Sequence, residues 1–158
     1  MIRLARPSDA AFIRELACLS ILSSLPANRQ ADPEVARQFV LRSYADLEQT
    51  LASDRNLLVL VEEEPKSREL TGYLMLELDQ IEPSTGEKQA FMVDIAVLPD
   101  RRGRFATARL IKKASALCRA RGLKYLVGMV SASNTVARGL ARCLGFQEER
   151  VQIVRRLD

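Results

Sequence analysis

Histidine does not occur in this 158-residue chain, and its three cysteines, Cys18, Cys118 and Cys143, stand far apart with no CxxC pair. The commonest zinc ligand is missing and the thiols lack ligand spacing, so no metal site is expected. Scattered, odd-numbered cysteines read as small apolar packing residues in a reducing compartment. Without histidine, the acceptor of a proton near neutral pH must be a carboxylate, directly or through water, or the substrate must lose its proton in bulk solvent. No apolar run approaches the ~18 residues of a membrane span. The opening "MIRLARPSDAAF" scatters charges where a secretory leader carries an apolar block. A cytoplasmic protein with no membrane partner is expected. Repeats, low-complexity tracts and linker-like stretches are also missing, so residues 1–158 are expected to form one domain.

What the chain does have is ordinary for a folded protein, with 47% apolar and 28% charged residues. The charge distribution is more telling than its total. Between Pro99 and Lys124 nine Lys or Arg face one acidic residue, a local balance of +8, which leaves −4 for the rest of a chain whose total is +4. A basic block in an otherwise acidic protein points to a localised anion site.

Hydrophobic periodicity divides the chain into three parts. "IRLA" (residues 2 to 5) reads as an edge strand, followed by a helix capped by Ser8 or Asp9 with Phe12, Ile13 and Leu16 on one stripe. A second helix is expected from Pro33 to about Ala52, where Phe39, Val40, Tyr44, Leu47 and Leu51 recur at helical spacing. The middle is strand and hairpin: "NLLVLVEE" (56 to 63), "LTGYLMLELD" (70 to 79) and "QAFMVDIAVL" (89 to 98) form an antiparallel meander. The last third alternates. A helix over 103 to 121 is followed by a buried strand "KYLVGMVSA" (124 to 132). Asn134 then caps a helix that Gly145 ends, and "FQEERVQIVRRL" is expected to be a final strand. The predicted order is βααβββαβαβ, an α+β fold with a mixed, mostly antiparallel sheet and one parallel junction.

The chemistry concentrates at that junction. "VLPDRRGRFATARLI" (97 to 111) delivers Arg102, Gly103 and Arg104 to a helix N-terminus, where unsatisfied N–H groups and the helix dipole favour an anion. Gly103 permits close backbone approach, and the arginines offset or chelate phosphate charge. Simple solvation of a basic helix start is the bland alternative. A nucleic-acid surface is a weaker one, since aromatics other than Phe105 are missing from the block.

"VLPDRRGR" followed by "LI" resembles the cofactor motif of the GNAT superfamily of N-acetyltransferases, with Val97, Pro99, Arg102, Gly103 and Leu110 in register. "NTVARGLARCLGF" resembles that family's second motif through Asn134, Ala137, Leu140, Gly145 and Phe146. The resemblance implies acetyl-CoA as co-substrate, an amine acceptor, and a V-shaped opening between two parallel strands. It places the pyrophosphate on the loop of Arg102, Gly103, Arg104, Phe105, Ala106 and Thr107. It places pantetheine along Ala96, Val97 and Leu98, with Asn134 nearby. As an N-cap, Asn134 needs no ligand. A homodimer is compatible with this reading.

The sequence departs from the family pattern in two places. The loop's second and third glycines fall on Phe105 and Thr107, and the usual tyrosine general acid falls on Ala141. Tyr44, Tyr73 and Tyr125 lie elsewhere in the chain. Asp94, between the apolar triplets "FMV" and "IAV", is the candidate catalytic carboxylate, with Glu77 and Asp79 as runners-up. The structural alternatives for Asp94 are a pair with a neighbouring arginine or a place at a strand bulge. A backbone N–H at Val97 or Leu98 is the candidate donor to the thioester carbonyl. Two functions follow: an acyl-CoA-dependent N-acyltransferase working by direct attack, or a non-catalytic binding or regulatory module on the same fold.

Overall fold

The computed structural model describes residues 1–100 and 105–157. Its sheet has five strands in sequence order: β1 (Ile2–Leu4), β2 (Leu57–Glu63), β3 (Leu70–Ile81), β4 (Lys88–Val97) and β5 (Leu126–Gly128). The first four pair antiparallel, and β5 joins β4 in parallel. A short 3-10 turn (Pro7–Asp9) leads into α1 (Ala10–Ser20), followed by α2 (Pro33–Ser43) and α3 (Leu47–Ser53). The remaining helices are α4 (Ala106–Ala120) and α5 (Thr135–Cys143).

Alternation along the meander builds two cores. Val59, Val61, Tyr73 and Met75 pack with Ile13 and Leu16 of α1, Val40 of α2 and Leu47 of α3. Leu58, Leu60, Leu74 and Leu76 point the other way, onto Leu110, Ala114 and Cys118 of α4. α2 starts as its sequence suggests. Pro33 takes the first turn, and Asp32 Oδ1 accepts from Glu34 N at 2.7 Å and from Val35 N at 3.4 Å.

Three expectations change. The helix read over 33 to 52 breaks after Ser43, and the chain resumes as α3 at Leu47. No proline or glycine marks the break, and the apolar spacing continues across it, so periodicity reads straight through. The strand read as buried over 124 to 132 narrows to Leu126–Gly128, where Leu126 and Val127 are half-buried and Gly128 is exposed. The final strand does not form. Residues 147–157 carry no regular structure, and Val151, Ile153 and Leu157 are 85%, 90% and 91% exposed. Alternation alone cannot make a strand where no neighbour offers a ladder to join. Of the cysteines, only Cys118 is a buried packing residue; Cys18 is half-buried and Cys143 exposed.

Candidate active site

The site is organised by the place where β4 and β5 part. They pair at Ala90–Leu126, Phe91–Val127 and Met92–Gly128. A Cβ on Gly128 would stand 2.8 Å from Met92 Cε, the flexible end of a side chain that can move aside. β4 then continues to Val97, paired with β3 but no longer with β5.

A bulge coincides with the parting. The register with β3 passes from Met92–Leu76 to Asp94–Met75, which leaves Val93 as the extra residue. Ala90 and Met92 face α4, and so do Ile95 and Val97 beyond the bulge. The parity switch therefore turns Asp94 to the opposite face, towards α1 and α2. There Tyr44 Oη, at the end of α2, donates to Asp94 Oδ2 at 2.8 Å, and Tyr73 Oη of β3 donates to the same oxygen. Burial, reinforced by the Asp94 charge, pushes both phenols far above their ordinary pKa. They stay protonated and act as donors.

The predicted β4 residues line the gap with different groups. Ala96 and Val97 are buried. Leu98 N–H donates to Thr71 O at 2.9 Å, which removes it as a carbonyl donor. Antiparallel pairs alternate between bonded and non-bonded, so the main-chain groups of Ala96 and Asp94 also face β3. Those of Ile95 are directed to the side that β5 has left.

At the start of α4, Ala106 is buried beneath the helix and Thr107 is half-buried. Phe105 caps the helix with φ 57°, in the left-handed region that favours glycine, and its side chain is 76% exposed. The residue type has changed from the motif's glycine, but the backbone keeps a glycine-like conformation. Arg102, Gly103 and Arg104 lie outside the described residues. Arg109, counted in the basic block, is held by the buried Glu62 through Nε (2.7 Å) and Nη2 (2.6 Å). Thr71 Oγ1 donates to the other Glu62 oxygen at 3.1 Å. Asn134 Oδ1 caps α5 by accepting from Ala137 N at 3.0 Å, and its Nδ2 reaches Ser23 O at 3.5 Å.

The other predicted carboxylates are not drawn into the site. Glu77 and Asp79 are exposed, and Asp79 accepts from Asn56 Nδ2 at 2.9 Å. Sequence reasoning missed Tyr44 and Tyr73. The available signal was weak: a tyrosine at the core position of β3, and another continuing the apolar stripe of α2. Among the described residues no group of His, Cys, Asp or Glu is arranged to hold a metal, and no helix is long and apolar enough to cross a membrane.

The sheet thus opens beside a helix N-terminus that favours an anion, with a carboxylate at its margin. The profile of the acetyltransferase (GNAT) family matches residues 23–146, and the chain belongs to that family. Curated protein sequences contain no match. Among solved structures, AAC(6')-Iy bound to the bisubstrate analogue CoA-S-monomethyl-acetylneamine is similar at 21% identity and TM-score 0.71, over 99% of this chain and 97% of that one. A ribosomal-protein-alanine N-acetyltransferase from Brucella melitensis biovar Abortus 2308 aligns at 20% identity and TM-score 0.66, over 99% of both chains. A putative acetyl transferase from Pyrococcus furiosus aligns at 17% identity and TM-score 0.74, over 99% of this chain and 100% of that one. At these identities the likeness establishes the fold.

Proposed function

We propose that the protein moves an acetyl group from acetyl-CoA to an amine by direct attack. The observation that carries this reading is the single carboxylate, Asp94, held at the margin of the gap beside β4. Acetyl-CoA supplies the activated acyl group as a thioester. The gap fits an extended pantetheine arm, since the main-chain groups of Ile95 point into it as they would towards an added strand. The diphosphate falls to the N-terminus of α4, with Arg102, Gly103, Arg104, Phe105, Ala106 and Thr107 around it. Ala96 and Leu98 shape the wall, and Asn134 borders the arm from the start of α5.

The acceptor enters from the α1–α2 face, because the bulge turns Asp94 to that side. Asp94 accepts the proton from the attacking nitrogen as the new C–N bond forms and the C–S bond breaks. A thiol has an ordinary pKa of about 8.5, so the thiolate leaves without a tyrosine at position 141.

The test measures free CoA from acetyl-CoA against a panel of primary amines: benzylamine, spermidine, an alanyl peptide and neamine. Asp94→Asn is expected to lose about 10²–10⁴-fold in turnover. Full activity in that variant removes Asp94 as the base. Binding of acetyl-CoA with no CoA release from any amine supports the non-catalytic module instead.

A further inference from the structure

We propose that Tyr44 and Tyr73 are positioning residues. Together they occupy one oxygen of Asp94, keep the other for the acceptor, and make that geometry depend on where α2 stands. This rests on the reading of Asp94 as base.

The argument starts from register. Tyr73 pairs with Ala96, and Asp94 pairs with Met75 two residues along the same face. Tyr73 and Asp94 are thus diagonal neighbours, a separation that a long aromatic side chain spans. Ala96, opposite Tyr73, has only a methyl group and leaves room for the ring to lean towards Asp94. The Tyr73 ring is fully buried, so its hydroxyl is held by β3 and the core around it. Tyr44 approaches from another direction. It ends α2, where its N–H still accepts helical order by donating to Val40 O at 3.0 Å, and its ring crosses to the sheet.

Both hydroxyls converge on Oδ2. Among the described residues Oδ1 receives no hydrogen bond, although the carboxylate is half-buried. One of these phenols would be enough to tie α2 or β3 to β4. Two donors on one oxygen instead fix the plane of the group and leave a defined acceptor lone pair. Because one donor stands on β3 and the other on α2, a shift of α2 changes the aim of Oδ1. The wall that receives the amine and the group that takes its proton are then mechanically one unit.

The experiment combines two readouts on the full chain. The first is tyrosinate absorbance at 295 nm during an alkaline titration in a Tyr125→Phe background, where only the pair reports. Read below the pH at which the fold opens, Asp94→Asn in that background is expected to lower the onset, because the neighbouring charge is gone. An unmoved onset overturns the cluster. The second readout separates kcat from KM with any panel amine the protein acetylates. Tyr73→Phe is expected to lower kcat about tenfold to hundredfold, the cost of one lost hydrogen bond to a charged group, with both KM values held. Tyr44→Phe is expected to lower kcat similarly and also to raise KM for the amine, leaving KM for acetyl-CoA alone. Unchanged kcat in both phenylalanine variants, while Asp94→Asn is inactive, overturns the positioning role and leaves the base intact. Unchanged turnover in Asp94→Asn removes the base itself, independently of the titration.

Discussion

The two flanks of β4 follow opposite rules. Towards β3 the strand is paired along its length, and both faces of that ladder are sealed, one by α1 to α3 and the other by α4. Towards β5 it is paired at three positions and then left open. Among the described residues none after Cys118 is buried. α5 contributes no buried side chain although its apolar residues share one face, and Val136 is 82% exposed. The last third is held by the short β4–β5 ladder, by Leu126, Leu144 and Phe146 packed half-buried against the α4 core, and by polar links at its periphery. Arg138 and Arg142 share Glu148, and Arg150 reaches Glu82 and, at 3.1 Å, Ser84. The difference teaches where the chain keeps its stability and where it keeps its opening. A half with a complete core carries the fold, and a half without one leaves surface for a ligand to cover.

Truncating the core is the strongest way to break this comparison. Leu74 is fully buried between β2, β4 and α4, and Leu74→Ala is expected to cost about 3–4 kcal/mol in urea unfolding. Leu140, half-buried on α5, is expected to cost less than about 1 kcal/mol on the same change. Equal costs would mean that the last third is as firmly built as the meander. Coenzyme comes next. Acetyl-CoA at a hundredfold excess over its dissociation constant should stabilise the protein by about 2.7 kcal/mol. The gain in amide protection is expected to be concentrated at the end of β4, at the N-terminus of α4 and in residues 126–146, with little change in β2 and β3. Uniform protection would place the ligand elsewhere.

These contrasts explain what was legible in the sequence. Period-two alternation in "LTGYLMLELD" assigned Leu74 and Leu76 to one face and Tyr73 and Met75 to the other, because both faces of β3 are buried. The cap at Asn134 and Pro33 in the first turn of α2 were readable because their chemistry is local. The bulge was legible only as an alternative for Asp94, which the structure bears out; its exact place at Val93 and its consequence were not. One extra residue reverses every later side chain, and nothing in "QAFMVDIAVL" marks it. Asp94 could be nominated from its apolar surroundings, but its partners come from residues 50 and 21 positions away in sequence. The final strand failed for a related reason. Strand formation depends on a neighbour, and β5 ends too soon to provide one.

pH offers a smaller contrast between the same regions. Burial works against ionising Asp9, yet the Arg3 guanidinium and the Arg6 N–H hold its carboxyl below the ordinary range. Arg3 does the same for Glu63 at the end of β2. A carboxyl depressed in the folded state adds stability above its unfolded pKa and loses it as pH falls through the folded value. Unfolding free energy should therefore decline below about pH 4.5, and Arg3→Gln should flatten that decline. Glu148, lowered by Arg138 and Arg142 in the open third, belongs to the same class. It is exposed, so Glu148→Gln should leave the acid limb almost unchanged. At the alkaline end the sign reverses. Tyr44 and Tyr73 keep their protons in the fold while the unfolded phenols ionise near pH 10, so stability should fall above that pH, less steeply in Asp94→Asn.

Phe105 stands at the seam between the two regions and allows the finest test. Its φ of 57° is a conformation that costs a non-glycine residue about 1–2 kcal/mol, and its exposed ring gains little burial in return. Phe105→Gly removes that strain while giving the unfolded chain more freedom, which offsets roughly 0.5–1 kcal/mol of the gain. The net expectation is a stabilisation of about 0.5–1 kcal/mol by urea unfolding. Since the backbone already holds the conformation of the motif's glycine, acetyl-CoA binding measured by calorimetry should tighten only modestly as the side chain is cleared. A large gain would mean that the ring obstructs the diphosphate. A loss of affinity would mean that the ring itself touches the coenzyme, and the strain at position 105 would then be kept for binding.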